Sequence, residues 1–209
     1  MSRAQAIAQE IGSSHLWLGR QLAVSPAQST GFAALDNVLP GRGWPIGALT
    51  ELIPTVEGIG ELRLLLPALR ALSRDQGRPI VFIRPPHVPY APALARAGLS
   101  LTSIIRIETR DDEDARWAAE QTLREGVAGA VLLWSRADAD LPLRRLQLAA
   151  QEGQALAFLY RHPRCLQNAS PAAVRLTLNP APGAIRITVI KARGGTREAS
   201  LLCPLREAA

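Results

Sequence analysis

Apolar runs alternate with amphipathic segments along most of this chain, and the alternation predicts its secondary structure. Short apolar runs predict strands at residues 48–53, 78–83, 104–107, 130–134 and 154–160. Apolar residues recur at helical spacing, and so predict helices, at residues 60–74, 89–97, 111–125 and 141–151. Strands that alternate with helices in this way are typical of a parallel α/β sheet.

Two of these helices have clear end signals. Acidic residues at positions 111–114 favour the positive end of one helix, and Gly126 ends it. Asp140 stands at the N-cap position of the other helix, whose spacing places Leu143 and Leu146 on one side. We therefore expect two well-defined helices in the second half of the sheet region.

The alternation of strands and helices stops near the C-terminus. Residues 174–178 and 185–190 alternate apolar and polar positions around a Pro- and Gly-containing turn, which predicts an antiparallel hairpin. The segment after Gly195 is either loose or forms a short edge strand around Leu201 and Leu202. The predicted organisation is an N-terminal helix or arm at residues 1–28, one domain at residues 29–195 and a tail at residues 196–209.

Composition narrows the class of protein. A chain of 209 residues that is 47% hydrophobic can bury one good core. It has no apolar run of the roughly 18 residues that a membrane span needs. The N-terminus carries Glu10 and lacks a secretory signal pattern, while Cys165 and Cys203 show no metal or redox spacing. We expect a cytoplasmic protein with reduced thiols.

The chain is basic, with 24 Lys and Arg against 18 Asp and Glu, and Lys191 is its single lysine. Arginine suits the recognition of phosphate and carboxylate groups, so this balance favours a nucleic-acid partner or an acidic protein partner. High-GC coding produces the same arginine bias, and both explanations remain open. The few aromatic residues argue against a dedicated base-stacking surface.

The stretch from residue 29 to 66 has the order of a nucleotide-binding strand, loop and helix. In a phosphate loop of the form Gly-x-x-x-x-Gly-Lys-[Ser/Thr], backbone N–H groups surround the phosphates, the lysine reaches them and the hydroxyl binds magnesium. Here Gly58 and Gly60 lie in the loop, with Gly60 as the second glycine. Thr55 stands at the first glycine, Glu61 at the lysine and Leu62 at the hydroxyl. The sequence therefore predicts the shape of a phosphate loop without its binding groups.

The order of segments resembles the RecA ATPase core. Ser29-Thr30-Gly31, predicted to cap a short helix, is followed by Leu35-Asp36, a Trp-Pro-Ile-Gly turn and the strand that ends at residue 53. Residues 131–135 occupy the place of the Walker B strand. Within RecA relatives, the short chain, the degenerate loop and residues 79–99 look most like ImuA, the translesion-DNA-synthesis-associated proteins related to the division inhibitor SulA. The resemblance covers residues 15–195 and implies a RecA-like three-layer core.

Departures from the RecA pattern imply that catalysis is lost. Trp134 stands where the Walker B aspartate would hold the metal, and Arg84 with the following Pro-Pro-His replaces a catalytic glutamate. Glu61 would repel phosphate, and Leu62 cannot bind magnesium. We therefore expect no ATPase activity, no cofactor and no metal, although a bare helix N-terminus could still bind an anion weakly.

Other candidate catalytic residues have simpler interpretations. Asp138 and Asp140 could perform acid–base chemistry, but the cap position of Asp140 favours a turn followed by a helix. His15, His87 and His162 show no ligand-like spacing. Ser135 follows a strand, as a hydrolase nucleophile does, but the Gly-x-Ser-x-Gly motif is absent.

Several arginines are predicted to meet at one edge of the sheet. Arg84, Arg136 and Arg161 follow three of the strands, and the carboxyl ends of parallel strands share an edge. The others near this edge are Arg144, Arg145 and Arg164. Such a cluster could bind DNA phosphate or an acidic partner, and scattered, solvated arginines are the alternative.

The resemblance to ImuA implies a catalytically inactive RecA-like adaptor in SOS-induced translesion DNA synthesis. The partners it implies are an inactive Y-family polymerase homologue (ImuB-like) and an error-prone polymerase III alpha-type subunit, with RecA and DNA as further candidates. A SulA-like inhibitor of the tubulin-like division protein is the main alternative. An ATP-dependent recombinase is a third possibility, which the missing phosphate-loop groups argue against. Residues 1–28 could also support a homo-oligomer.

Overall fold

One sheet organises the described part of the chain. The computed structural model describes residues 26–135, 142–195 and 199–204. The strands within these residues are β1 (Ala27–Gln28), β2 (Trp44–Pro45), β3 (Ala48–Pro54), β4 (Ile80–Ile83), β5 (Ile104–Ile107), β6 (Ala130–Trp134), β7 (Leu156–Tyr160), β8 (Val174–Ala181), β9 (Ala184–Ala192) and β10 (Ser200–Pro204). The α-helices are α1 (Ala33–Asp36), α2 (Leu66–Arg70), α3 (Ala91–Arg96), α4 (Asp112–Arg124) and α5 (Leu143–Gly153).

The main sheet has eight strands in the order β10-β9-β8-β3-β7-β6-β4-β5. The strands β8, β3, β7, β6, β4 and β5 are parallel to one another. β9 is antiparallel to β8, and β10 is antiparallel to β9. β1 and β2 pair separately, in antiparallel orientation. The prediction of a mainly parallel α/β sheet extended by a C-terminal antiparallel hairpin is confirmed.

Helices cover both faces of the sheet. Leu35 of α1, Leu69 of α2 and Leu94 of α3 are buried on one face, in the same apolar cluster as Phe82 and Phe158 of the strands. On the other face the apolar cluster takes its helical side chains from α4 and α5 and includes the predicted pair Leu143 and Leu146. Of the predicted apolar strands, β4, β6 and β7 are buried on both faces, whereas β5 at the edge of the sheet is partly exposed. No described helix combines the length and apolar character that crossing a bilayer requires.

The helix predicted at residues 60–74 is divided into three parts. A 3-10 turn at Glu61–Leu64 precedes α2, and a π-helical turn at Ala71–Asp75 follows it. Pro67 lies in the first turn of α2 and has no backbone N–H, so it cannot bond back to the preceding turn. This missing hydrogen bond accounts for the change from the 3-10 turn to α2.

Two predicted helix caps are wrong, whereas the predicted acidic start of α4 is confirmed. Asp111 accepts hydrogen bonds from the backbone N–H groups of Glu113 and Asp114, as expected for an N-cap. α5 begins at Leu143 after Pro142, so Asp140 is not its N-cap; Asp140 itself lies outside the described residues.

The Ser29-Thr30-Gly31 turn does not cap α1, because the N-cap residue is Phe32. Instead, the Asp36 carboxylate accepts hydrogen bonds of 2.8 Å from both the Ser29 hydroxyl and the Thr30 N–H. Gly31 has a positive φ, and a Cβ there would lie 2.5 Å from Pro67. This turn is therefore held by a helix residue and packs against the start of α2.

The C-terminal segment contributes to the sheet. The hairpin of β8 and β9 turns at Pro182-Gly183, a tighter connection than predicted. Of the two alternatives for the tail, the edge strand is observed, since β10 pairs with β9 over its whole length. The residues from 200 to 204 thus complete the sheet.

Three charged side chains are buried at the centre of the sheet, and we call Glu51, Arg161 and Arg175 the buried triad. Glu51 is 0% exposed, and its side chain forms ion pairs with Arg161 at 3.0 Å and with Arg175. Arg175 also donates hydrogen bonds to the carbonyl oxygens of Cys165 and Asn168. The buried Glu51 carboxylate is thereby matched by two guanidinium groups.

The strand register brings the buried triad together. Glu51 of β3 lies opposite Arg175 of β8 on one side and opposite Leu159 of β7 on the other. Arg161 follows Leu159 by two residues, so its side chain leaves the same face. One carboxylate on the central strand therefore ties both neighbouring strands to it.

We predict that Glu51→Gln lowers the free energy of unfolding by about 3–5 kcal/mol, because the change leaves two buried guanidinium groups without a counter-charge. Urea denaturation of purified protein measures the effect. Glu152→Gln is the matched control: Glu152 pairs with Arg124 at the surface, its side chain is 60% exposed, and its loss should cost less than about 1 kcal/mol. Equal costs for the two variants would contradict a structural role for the buried triad.

Candidate functional site

A cavity of about 220 Å³ opens at the carboxyl ends of the parallel strands. It lies where ligands bind in open α/β sheets. Its lining brings together Thr55, Glu61, Arg84, Trp134, Tyr160 and Arg161. The segment predicted to be a degenerate phosphate loop, the residue predicted at the Walker B position and two of the predicted arginines therefore share one site.

Glu61 occupies the interior of its own loop. One oxygen of its carboxylate accepts a hydrogen bond of 3.2 Å from the backbone N–H of Gly58. In a working phosphate loop, backbone N–H groups of this kind bind phosphate oxygens. The side chain at the lysine position thus supplies a negative charge and uses one of the donors that an anion would need.

The two loop glycines have backbone roles. Gly58 and Gly60 have φ values of 78° and 92°, which L-residues with a Cβ rarely adopt. Leu62, at the position of the magnesium-binding hydroxyl, packs against the apolar core. Thr55, at the first glycine position, donates its backbone N–H to the Leu178 carbonyl oxygen. The loop therefore keeps the strand-to-helix turn and places an apolar side chain where a metal ligand would stand.

Trp134 closes the base of the cavity as part of an aromatic stack. Its ring lies 4.5 Å from that of Tyr160, with an interplanar angle of 4°, and 6.0 Å from that of Phe82. These side chains come from the adjacent strands β4, β6 and β7. An indole between two rings offers packing and no carboxylate for a metal ion.

Tyr160 and Arg161 bring polar groups into this buried region. Both residues are 3% exposed. The Tyr160 hydroxyl and the Nε and Nη2 atoms of Arg161 have no hydrogen-bond partner among the described residues. Burial, followed by the Glu61 carboxylate, raises the pKa of Tyr160 well above its ordinary value, so its phenol stays neutral. The cavity can therefore present hydrogen-bond donors to a small polar group.

Arg84 lies at the cavity but is already paired. Its guanidinium forms an ion pair with Asp112 in the first turn of α4. Its φ of 53° is unusual for a residue with a side chain, and its N–H donates to the Ile107 carbonyl oxygen at 2.9 Å. These contacts fix Arg84 between β4 and α4.

The predicted basic cluster is only partly assembled, because three of its members form ion pairs with carboxylates. Arg161 pairs with Glu51 through Nη1, Arg84 pairs with Asp112, and Arg145 pairs with Glu120. Arg144 and Arg164 are exposed. Arg136 lies outside the described residues. The carboxylates that pair with these arginines come from other elements of the fold, so the pairs could not be predicted from the sequence.

The remaining candidate residues form no second site among the described residues. Asp138, Asp140 and His15 lie outside that part of the chain. His162 accepts a hydrogen bond from the Arg164 backbone N–H, and no group of three metal-ligating side chains occurs in the described residues. Cys165 and Cys203 are free and buried. Burial raises the pKa of both thiols, to about 11 for Cys203, which disfavours the reactive thiolate.

Two residues of the buried triad were not predicted: Glu51, which neutralises Arg161, and Arg175, which shares the Glu51 carboxylate. A signal was available, because a carboxylate in the middle of an apolar strand is almost never buried unless it is paired. The position of the partner was not available, since Arg175 is 124 positions later and meets Glu51 only through the register of β3 and β8.

Three comparisons with known proteins bear on this site. Residues 47–157, more than half of the chain, match the family described as "Cell division inhibitor SulA". The protein is 28% identical to "Protein ImuA" of Caulobacter vibrioides over 149 residues, with the same figures in two strains of that species. The alignment covers 66% of this chain and 59% of ImuA, so the chain spans about three fifths of the length of these relatives.

A solved structure, that of SulA from Pseudomonas aeruginosa, is 31% identical in sequence to the matched part of this chain. The match covers 54% of this chain and 97% of that protein, with a TM-score of 0.43. The predicted resemblance to ImuA and SulA is confirmed by the family match and the ImuA relatives. The chain belongs to the SulA family and has ImuA proteins among its relatives.

Proposed function

We propose that this chain is a non-enzymatic accessory protein of DNA-damage tolerance that acts through contacts with other macromolecules. The observation that carries this proposal is the hydrogen bond between the Glu61 carboxylate and the Gly58 N–H. A side chain that takes this donor and adds negative charge opposes the binding of nucleotide phosphates. Leu62 and Trp134, at two further positions that need polar groups, support the same conclusion.

The requirements of phosphoryl transfer support the proposal that the chain is not an enzyme. Catalysis of this reaction depends on positioning and on neutralising the charge of the transferred group. Lysine, magnesium and its ligands supply that neutralisation, and the corresponding positions here hold Glu61, Leu62 and Trp134. A protein that keeps the fold of the site without these groups is suited to binding by its surfaces.

The ImuA relatives direct the proposal to translesion DNA synthesis. In this role the chain links an inactive Y-family polymerase homologue (ImuB-like) to an error-prone polymerase III alpha-type subunit, and RecA is a further candidate partner. The match of residues 47–157 to the SulA family favours a second candidate function, inhibition of the tubulin-like division protein. Filamentation of cells that express this chain would favour the second function, and normal division would favour the first.

We predict that the purified protein releases no phosphate from ATP above a buffer blank, because Glu61 stands where a lysine would neutralise the phosphates and Leu62 stands where a hydroxyl would bind magnesium. A colorimetric phosphate assay with Mg²⁺ makes the measurement. Glu61→Ala is the control that separates intrinsic from contaminating activity. Turnover that is present in the wild type and lost in Glu61→Ala would contradict the proposal, whereas turnover equal in both proteins identifies a contaminant.

We predict that the full chain is retained by a tagged inactive Y-family polymerase homologue and not by the tagged division protein. Washing at high salt removes association that rests only on the basic character of the chain. Glu61→Ala should be retained equally, because the proposed binding does not use the cavity. Retention by the division protein alone would favour the SulA-like function, and retention by neither protein would remove the main support for an adaptor.

A further inference from the structure

The two helical layers that cover the sheet differ in charge. Residues 111–125 and 142–153, which include α4 and α5, carry seven carboxylates and four arginines. Residues 61–76 and 91–103, which include α2 and α3, carry four arginines and two carboxylates. The excess positive charge of the described helices is therefore concentrated on the α2–α3 layer.

Ion pairs neutralise much of the α4–α5 layer. Arg124 bonds to both Glu120 and Glu152, and Arg145 bonds to Glu120. Such a network leaves little free positive potential on that side of the molecule. Exposed arginines there, such as Arg144, also lie within a layer whose net charge is negative.

On the α2–α3 layer, three arginines have no such partners. Arg70, Arg74 and Arg96 are exposed, and none of them forms an ion pair with another described residue. Glu61, one of the two carboxylates in this layer, is turned into its own loop. Asp75 is the other carboxylate, so the positive charge of the three arginines is largely uncompensated. We call Arg70, Arg74 and Arg96 the arginine face.

The arginine face is continuous across two helices. Arg70 and Arg74 are four residues apart along one helical stretch, which puts them on the same side of it. The Arg70 side chain passes over the end of α3. Its Cδ lies 3.0 Å from the point that a Cβ would occupy at Gly98, two residues after Arg96. Ser73 bonds to the Ser100 N–H and to the Ser103 hydroxyl, which fixes the turn after α3 against the same stretch.

We propose that the arginine face binds the phosphate backbone of DNA. Guanidinium groups match phosphate oxygens in geometry and charge, and hydroxyl groups commonly add hydrogen bonds to the same oxygens. The Ser100 and Thr102 hydroxyls lie on the adjoining turn, 2.9 Å from each other. The negative α4–α5 layer repels DNA, so the protein meets the backbone from one side.

The recognition is independent of base sequence. Contacts to phosphate position a protein on DNA, and base edges or aromatic stacking supply specificity. The arginine face supplies charge and hydroxyl donors, and its stretch of α2 and α3 contains no aromatic residue. An acidic peptide is the competing ligand, and the experiment below distinguishes it from DNA. The proposal does not depend on polymerase recruitment, because the measurement needs only this chain and an oligonucleotide.

The test is fluorescence anisotropy with a labelled single-stranded oligonucleotide across a series of KCl concentrations. Arg70→Gln, Arg74→Gln and Arg96→Gln are combined in one variant of the full chain. We expect this variant to lose at least about tenfold in affinity at low salt. The slope of log association constant against log salt concentration should become less negative by about 2. A variant with Arg110→Gln, Arg116→Gln and Arg144→Gln, all in or next to the α4–α5 layer, loses the same charge and should bind nearly as the wild type.

Two results would overturn the proposal. Equal losses in both triple variants mean that net charge, and not the arginine face, controls binding. A wild-type chain that ignores DNA but binds a labelled poly-glutamate peptide through Arg70, Arg74 and Arg96 means that the face recognises an acidic protein. Thermal unfolding of both variants confirms that each is folded, so a loss of binding is not a loss of structure.

Discussion

A buried carboxylate on the central strand constrains the whole sheet. Glu51 has no exposure to solvent, and its charge is compensated by arginines from the strands on either side. Removing these charges from water costs several kcal/mol per ion, so the buried triad adds little net stability. Its effect is on register: a slip of one residue in β8 would turn Arg175 to the opposite face and leave Glu51 without half of its compensation.

The same constraint shapes the cavity beside it. Arg161 belongs to the buried triad and also lines the cavity, so the site cannot change its charge without affecting the centre of the fold. Glu61 satisfies a loop donor in the same way that Glu51 satisfies the arginines. Both carboxylates therefore bind groups of the protein itself. These contacts hold the edge of the sheet at the cavity in one conformation.

The strands and the longer helices could be predicted because their signals are local. Continuous apolar runs indicate strands that are covered on both faces. The acidic residues at the start of α4 indicate the N-terminus of that helix. The ion pairs of the predicted arginine cluster could not be predicted in the same way. Whether Arg84 or Arg145 is free depends on Asp112 and Glu120, which the fold brings to them from other elements. The break at Pro67 was visible in the sequence, whereas the pairing of Glu51 with Arg175 required the strand order.

The position of β10 at the edge of the sheet determines where this protein can be shortened. β9 is paired on both sides, with β8 and with β10. A chain that stops near Gly195 lacks β10 and leaves the backbone donors and acceptors of β9 unpaired along a strand that alternates apolar and polar side chains. Unpaired edges of this kind associate with other chains. With β10 in place, the edge of the sheet is instead a strand of five residues that ends at Pro204, and short edge strands that carry proline pair less readily with other chains.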